Sequence, residues 1–331
     1  MSAQRPGWKG ALVLSLKVLL SVALMAFLFA RIPFSSVASA LTHASRPWLV
    51  AAFLVLVASN VLGSWQWDQL LAAVGIQIPF WKVCAYYHVG LFFNNFLPAN
   101  IGGDLVRIAD ATRYDTTPAT AFSTVLMDRL IGTVALAGLA LLTTLPAVDR
   151  FHLTLVYGAL AGFFALSVLL LWAVFHPRLL PAVERALSRV GLGMLKPHLD
   201  ELAARLQGFR EQRRLMLELS LVATVTQVSR IFVHVLVARA LSLTIALPYF
   251  FLFVPLLAVI VSLPISLNGI GVREGAGIVL FGLVGVSRAQ AFSLQFTTYL
   301  VAVAISLIGG VIALLRLPMR RTESRSPRRM C

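Results

Sequence analysis

Six apolar windows, each long enough to cross a bilayer, constrain the fold of this chain more than any other feature. A transmembrane helix needs about 20 predominantly apolar residues to cross about 30 Å of hydrocarbon. Such windows lie at residues 9–30, 48–70, 120–146, 152–175, 215–238 and 290–316. Only 12% of the residues are charged and 59% are hydrophobic, which is far from the balance of a soluble domain. The sequence therefore predicts an all-α, polytopic integral membrane protein.

Basic residues are concentrated in three segments, which set the predicted topology. Residues 1–17 contain three basic residues and no acid, the loop 176–214 contains eight against four acids, and six arginines with one glutamate follow from residue 316. Cytoplasmic loops of membrane proteins are enriched in Lys and Arg. We therefore expect the N-terminus, the 176–214 loop and the C-terminus in the cytoplasm, beside anionic lipid. Nucleic acid is not an expected partner, because these segments lack a folded basic domain or an aromatic platform.

Three further apolar windows are shorter or interrupted, at residues 81–98, 248–266 and 275–286. If the first of them crossed the membrane, the 176–214 loop would lie outside, against its charge. The number of crossings between the basic segments is even if residues 81–112 form a re-entrant hairpin that opens to the cytoplasm and residues 248–286 form one that opens to the outside. The sequence thus predicts six full transmembrane helices plus two re-entrant hairpins. An eight-span arrangement, in which the hairpin arms cross fully, stays open.

Both predicted hairpins carry the same spacing of Pro, Gly and Arg. The glycine follows the proline by five residues and the arginine follows it by nine. The two sets are Pro98, Gly103 and Arg107, and Pro264, Gly269 and Arg273. A proline followed by aromatic residues precedes each set, and an Ala-Phe-Ser tripeptide follows each, at 121–123 and 291–293. These landmarks predict an internal repeat.

The repeat organises the whole membrane domain. We assign repeat A to residues 48–146 and repeat B to residues 215–316, within a single membrane domain that covers 1–317. The repeats are predicted to be inverted, because their hairpins open to opposite faces. Residues 318–331 form a basic tail that we expect to be disordered.

Polar residues around the hairpin tips are the candidate site. Proline and glycine break a helix, and its freed backbone groups cannot face lipid, so they line a polar cavity or are buried in protein. Secondary transporters bind substrates at such broken helices. The predicted headgroup-binding residues are Asn95, Asn100, Gly102, Gly103, Asp104, Arg107, Arg129, Arg230, Asn268, Gly269, Gly271, Arg273 and Glu274.

Arg107 and Arg273 are the residues most expected to hold a phosphate, because a guanidinium offers phosphate oxygens a planar, permanently charged fork. A charge at the bilayer centre costs roughly 2.5–3.5 kcal/mol on insertion scales, so an arginine without a role there is improbable. The open alternative is that Asp104 pairs with Arg107, and Glu274 with Arg273, as structural ion pairs.

Catalytic motifs give little support to an enzyme. No His-Glu-x-x-His, Gly-x-Ser-x-Gly or Gly-Lys-Ser/Thr pattern occurs, so we expect no catalytic residues, no metal and no cofactor. A lipid-phosphate transferase stays open, because Asp104 or Glu274 could serve a metal or act as a base. A membrane scaffold or regulatory subunit of a lipid-modifying enzyme is the other alternative.

The polar segments resemble the signature of a known membrane family. The segments are Leu97-Pro98 through Gly102-Gly103-Asp104 to Arg107, Asp128-Arg129, and Leu263-Pro264 through Asn268-Gly269 and Gly271 to Arg273-Glu274. They are similar to the lysylphosphatidylglycerol synthase transmembrane region family, also called flippase-like domain proteins, over about 10–316.

The resemblance implies a protein that moves lipids between leaflets, as the membrane half of bacterial multiple peptide resistance factors does for aminoacylated phosphatidylglycerol. It also implies the cytoplasmic membrane of a prokaryote, and an anionic phospholipid or a polyprenyl-phosphate-linked lipid as the partner. Those two-function proteins carry a cytosolic aminoacyltransferase domain after the membrane part. Only fifteen residues follow Arg316 here, so we expect no synthase activity.

Overall fold

The computed structural model describes residues 34–96, 102–114, 116–175, 209, 212–262 and 269–316. All regular secondary structure in these ranges is helical. The helices are α1 (Phe34–Thr42), α2 (Arg46–Ala73), α3 (Phe80–Phe96), α4 (Gly102–Ala111), α5 (Pro118–Thr144), α6 (Thr154–Phe175), α7 (Arg213–Ala240), α8 (Leu247–Ser262), α9 (Val272–Gly282) and α10 (Arg288–Arg316). The predicted first span at 9–30, most of the 176–214 loop and the 318–331 tail lie outside the described residues.

Five described helices are long and apolar enough to cross a membrane. They are α2, α5 with the 3-10 turn Leu145–Ala147 that extends it, α6 up to Trp172, α7 and α10. They coincide with five of the six predicted windows. Large aliphatic side chains such as Leu142, Leu155 and Leu217 are exposed on them, as expected of surfaces that meet lipid. The chain is therefore an all-α, multi-pass membrane protein.

Helices α3 and α4 form an antiparallel pair in which the start of α3 lies beside the end of α4. The hydroxyl groups of Tyr86, near the start of α3, and Tyr114, just after α4, are 3.0 Å apart. At the other end, the Gly103 amide donates to Asn94 Oδ1 at 2.8 Å. A Cβ on Gly103 would collide with the carbonyl oxygen of Gly90, so glycine is required where the two helices touch. The chain therefore leaves this pair at the end where it entered.

Helices α8 and α9 form a second pair of the same kind. The rings of Phe250, at the start of α8, and Phe281, at the end of α9, have centroids 5.7 Å apart. At the other end, Gly269 packs against Val261 and adopts a φ of +75°, which favours glycine. The tips of the two pairs, residues 97–101 and 263–268, lie outside the described part of the chain.

The described helices include two four-helix units that make equivalent helix–helix contacts. The first unit is α2 to α5 and the second is α7 to α10. Helix α2 packs along α7. Between the units, α3 packs on α10 and, equivalently, α8 packs on α5. Within the units, α4 packs on α5 and, equivalently, α9 packs on α10. This is the packing expected of two halves that share one fold.

Local backbone structure repeats in the same way. A residue with positive φ follows α2 (Gly75, +83°) and α7 (Ser242, +57°). In both turns the next amide donates to a carbonyl five residues earlier at 2.9 Å. The hydroxyls of Thr117 and Ser287 cap the first turns of α5 and α10, and the Ala-Phe-Ser tripeptide begins four residues after each cap. The sequence landmarks thus occupy equivalent places in the two units.

The close contact between α10 and α3 depends on a pair of glycines in α10. Gly309 lies against the backbone of His88 in α3, where a Cβ would collide with the His88 carbonyl oxygen. Gly310 lies against the ring of Phe92. The long helix α10 can therefore approach α3 closely, which brings the second unit against the hairpin of the first.

Candidate functional site

A cluster of charged side chains lies where α2, α3, α4 and α5 meet, with Arg107 at its centre. The Nη2 of Arg107 donates to Asp128 Oδ2 at 2.8 Å. Its guanidinium carbon lies 4.3 Å from the ring centroid of Trp67 and 4.9 Å from that of Tyr87. Only 6% of the side chain is exposed. Contacts with two rings and a carboxylate hold Arg107 in place.

Asp128 is held from its other side by α2. The Gln66 amide donates to Asp128 Oδ1 at 2.8 Å, so both carboxylate oxygens accept hydrogen bonds. One turn earlier on α5, the Thr124 hydroxyl accepts from the indole N–H of Trp67 at 3.1 Å. These contacts fix α2 against α5 around the buried charges.

Arg129 and Asp104 form the second ion pair of the cluster. Arg129 Nε donates to Asp104 Oδ2 at 2.9 Å, and its Nη2 donates to Oδ1 at 3.0 Å. Asp104 Oδ1 also lies 3.7 Å from Arg107 Nη1. The Arg129 side chain remains 48% exposed, in contrast to Arg107. The Asp104–Arg107 contact considered from the sequence is therefore present, but it is the longest ion pair in this cluster.

Arg230 on α7 approaches the same cluster from the second unit. Its Nη1 donates to Gln227 Oε1 at 3.3 Å, and Gln227 Nε2 donates to the Gly132 carbonyl of α5 at 3.2 Å. Arg230 and Arg129 both lie close enough to the Tyr87 hydroxyl to interact with it electrostatically. Arg230 is exposed, and no carboxylate in the described part of the chain forms an ion pair with it.

The tyrosine at the middle of this group was not predicted from the sequence. A Cβ on Gly63 would lie 2.6 Å from the Tyr87 hydroxyl oxygen, so the absence of a side chain on Gly63 makes room for the phenol. Gln66 and Trp67 were also missed. Nothing in the sequence distinguishes these residues from other polar or aromatic residues in apolar helices; only the packing of α2 against α3 and α5 selects them.

In the second unit the predicted residues have different contacts. The Arg273 guanidinium carbon lies 4.9 Å from the ring centroid of Tyr299. Glu274 is buried, and its Oε2 accepts from the Gly271 amide at 2.7 Å. Gly271 has a φ of +81° and caps α9, so Glu274 stabilises the start of that helix. The Arg273–Glu274 neighbours thus combine an aromatic contact with a helix cap.

The sequence matches the family described as the lysylphosphatidylglycerol synthase TM region over residues 14–310. The chain belongs to this family. It is also similar to a UPF0104 membrane protein of Pyrococcus horikoshii, with 22% identity over 289 residues that cover 81% of this chain and 86% of the relative. The family resemblance drawn from the hairpin motifs is confirmed, and the chain is a member of a lipid-related membrane family.

In this member of the TM-region family, the structure brings some of the predicted residues together and separates others. Gly102 and Gly103 begin α4 beside Asn94, and Asn95 lies at the end of α3. Arg107, Arg129 and Arg230 lie near Tyr87, and Asp104 joins them through its ion pairs with Arg129 and Arg107. Gly269, Gly271, Arg273 and Glu274 lie at the start of α9. Asn100 and Asn268 lie outside the described residues. Within the described ranges, no three His, Cys, Asp or Glu side chains are placed to share a metal ion.

Proposed function

We propose that this protein moves an anionic or phosphate-linked lipid between leaflets, with the headgroup passing along the charged cluster around Tyr87. The observation that carries the proposal is the exposure of Arg129 and Arg230, which lie well inside helices long enough to cross a membrane. A guanidinium at that depth is costly in hydrocarbon, so it belongs beside a water-filled passage. The ligand complementary to it is an anion.

The charge of the cluster supports an anionic ligand. Three arginines, Arg107, Arg129 and Arg230, meet two carboxylates, Asp104 and Asp128, which leaves an excess of one positive charge. A lipid phosphate supplies the missing negative charge and can bind a guanidinium with two oxygens. In this proposal Arg107 orients the cluster, while Arg129 and Arg230 contact the headgroup. An anionic phospholipid and a polyprenyl-phosphate-linked lipid are the candidate substrates.

We infer that the α3–α4 and α8–α9 pairs are re-entrant hairpins that open to opposite faces of a prokaryotic cytoplasmic membrane. At one end of the helices, Arg316 at the end of α10 lies 3.3 Å from Asp110 near the end of α4. At the other end, the Ser45 amide before α2 donates to the Ala240 carbonyl of α7 at 2.8 Å, just before α8 begins. With residues 9–30 as a further span, the protein has six full transmembrane helices and inverted repeats.

This orientation agrees with the charge of the connecting segments. It places the N-terminus, the 176–214 loop and the C-terminus in the cytoplasm, where basic segments are expected. Transport then consists of alternating exposure of a polar groove between the two hairpins, while the acyl or prenyl chains stay in lipid. Without a nucleotide-binding motif, the movement is passive or coupled to an ion.

We propose that the protein acts without catalysis. Asp104 is engaged by Arg129 and Arg107, and Asp128 is engaged by Arg107 and Gln66. A carboxylate with these partners is poorly placed to bind a metal or to act as a base, which disfavours the transferase alternative. The scaffold alternative is distinguished by a transport measurement.

The test is translocation of fluorescent phosphatidylglycerol in proteoliposomes, followed by quenching of the outer-leaflet dye. Wild-type protein should equilibrate the lipid, and Arg230→Ala should abolish this because it removes the exposed guanidinium without breaking an ion pair within the described ranges. Arg214→Ala is the matched control, since its side chain is 94% exposed and pairs only with Glu218 among the described residues. Absence of translocation by wild-type protein across anionic and polyprenyl lipids, or full activity of Arg230→Ala, would overturn the proposal.

A further inference from the structure

A second feature that suits a lipid lies away from the charged cluster, beside the last turns of α7 and the start of α8. It is a groove of about 550 Å³, within the range of small-molecule sites in proteins. Its wall is mainly apolar, formed by Phe232, Leu236, Leu243, Ile245, Leu247 and Phe250. Two of its lining residues, Arg239 and Thr244, have side chains that can bind an anion.

Arg239 is the charged group of this groove. It is exposed, and its guanidinium carbon lies 5.1 Å from the ring centroid of Trp48 on α2. No carboxylate in the described ranges forms an ion pair with it. Its positive charge is therefore available to a group outside the protein.

The depth of the groove matches the layout of a phospholipid. Helix α7 has 28 residues, which at about 1.5 Å each gives about 42 Å, more than the roughly 30 Å of hydrocarbon. Arg239, in the last turn, therefore reaches the headgroup level, and Trp48 has the interfacial position that indoles favour. Phe232, about 10 Å earlier along α7, lies within the hydrocarbon. The charged end and the apolar wall thus fall at the depths of a phosphate and an acyl chain.

The groove is also open to the surrounding lipid. Phe232 is 41% exposed and Leu247 is 46% exposed, so both walls can be reached from the side. Basic residues are disfavoured on the outer side of a membrane, so an outer arginine that pairs with no carboxylate of the described residues is suited to bind an anion there.

We propose that this groove binds one phospholipid of the outer leaflet, with its phosphate on Arg239 and one acyl chain along Phe232 and Leu236. The site is distinct from the charged cluster and goes beyond the proposed transport. Only its assignment to the outer leaflet rests on the orientation given above. It would keep a lipid next to the opening of the α8–α9 hairpin.

The test uses nanodiscs that contain phosphatidylglycerol with a photoreactive acyl chain, and measures crosslinks to peptides of 232–250. Arg239→Ala should reduce the yield about tenfold, equivalent to about 1.4 kcal/mol. Ala246→Trp should reduce it as well, because Ala246 is exposed and its new side chain would fill the groove. The controls are Arg288→Ala, an exposed arginine outside the groove, and Leu221→Trp at a position 67% exposed on α7.

Loss of crosslinking in both groove variants, with retention in both controls, supports the site. Unchanged yields in Arg239→Ala and Ala246→Trp would overturn it and leave Arg239 as a helix anchor. The result is independent of transport: crosslinking without translocation would contradict only the proposed function, whereas translocation without crosslinking would contradict only the groove.

Discussion

The Arg129 guanidinium donates hydrogen bonds to both carboxylate oxygens of Asp104, at 2.9 and 3.0 Å, and so joins α5 to α4. Asp104 also lies 3.7 Å from Arg107, which is bonded to Asp128 at 2.8 Å. Neighbouring residues of α5 therefore hold the hairpin through two carboxylates and two arginines. Because the partners share atoms, we expect substitutions among them to be strongly coupled.

Arg107 and Asp128 should behave as one energetic unit. Either alanine substitution removes the closest charged partner of a buried charge, so we expect each to lower the free energy of unfolding by about 3–5 kcal/mol. The double variant Arg107→Ala with Asp128→Ala should cost clearly less than the sum of the single variants. Denaturant unfolding in detergent, followed by circular dichroism, measures the free energies of this double-mutant cycle. The exposed pair Arg214 and Glu218 is the control, and it should contribute no more than about 1 kcal/mol. Additive costs at Arg107 and Asp128 would contradict the prediction.

Gly309→Ala should destabilise the protein by about 1–3 kcal/mol, because the new methyl group collides with the His88 carbonyl oxygen and forces α10 away from α3. Gly158→Ala is the matched control, since no described atom outside its own helix lies within 4 Å of the added Cβ. That change should be neutral or stabilising, because alanine favours a helix by roughly 0.5–1 kcal/mol over glycine. Thermal unfolding of both variants in the same detergent makes the comparison. Equal effects would mean that the two helices do not meet closely at Gly309.

Substitutions at Glu274 distinguish a role as a helix cap from a role in an ion pair. Glu274→Gln keeps a side-chain oxygen that can accept from the Gly271 amide, so it should remain close to wild type in stability. Glu274→Ala removes that acceptor and should cost about 1–2 kcal/mol. Thermal unfolding again provides the measurement. If glutamine is as damaging as alanine, the negative charge beside Arg273 matters more than the cap.

Cysteine labelling tests the opposed openings of the two hairpins. In a background with Cys84 and Cys331 replaced by serine, Thr112→Cys follows α4 and Ser287→Cys follows α9. An impermeant maleimide should label position 112 only from the cytoplasmic side and position 287 only from the outer side. Arg214→Cys serves as the cytoplasmic reference. Labelling of positions 112 and 287 from one and the same face would rule out inverted hairpins.

Much of the fold could be predicted because span length and hydrophobicity are local properties of the sequence. The windows 48–70 and 215–238 correspond to helices Arg46–Ala73 and Arg213–Ala240, which extend beyond them by a few residues at each end. The Ala-Phe-Ser tripeptides mark equivalent positions because capping hydroxyls at Thr117 and Ser287 start both helices in the same way. Caps and turns depend on neighbouring residues, which the sequence displays directly.

The partners of the site residues could not be predicted, because they depend on contacts between helices. The spacing of Asp104 and Arg107 indicates a pair within one helix, but the shortest ion pair of Arg107 is to Asp128, 21 residues later. Adjacency similarly suggests an Arg273–Glu274 ion pair, but it does not show that the left-handed backbone at Gly271 places its amide on the Glu274 carboxylate. The Tyr87 phenol lies in this group because Gly63, on another helix, leaves space for it.

The two units share their helix contacts but not their charges, and this difference has a thermodynamic consequence. Arg107 lies over the rings of Trp67 and Tyr87, whereas Arg273, at the same place in the repeated motif, lies over the ring of Tyr299. A transporter made of two identical inverted halves would have inward-open and outward-open states of equal energy. Here the two halves differ in the side chains that surround the equivalent arginines. If the protein alternates between these states as proposed, we expect one of them to be more stable, because the side chains of the two units differ where their helix contacts do not.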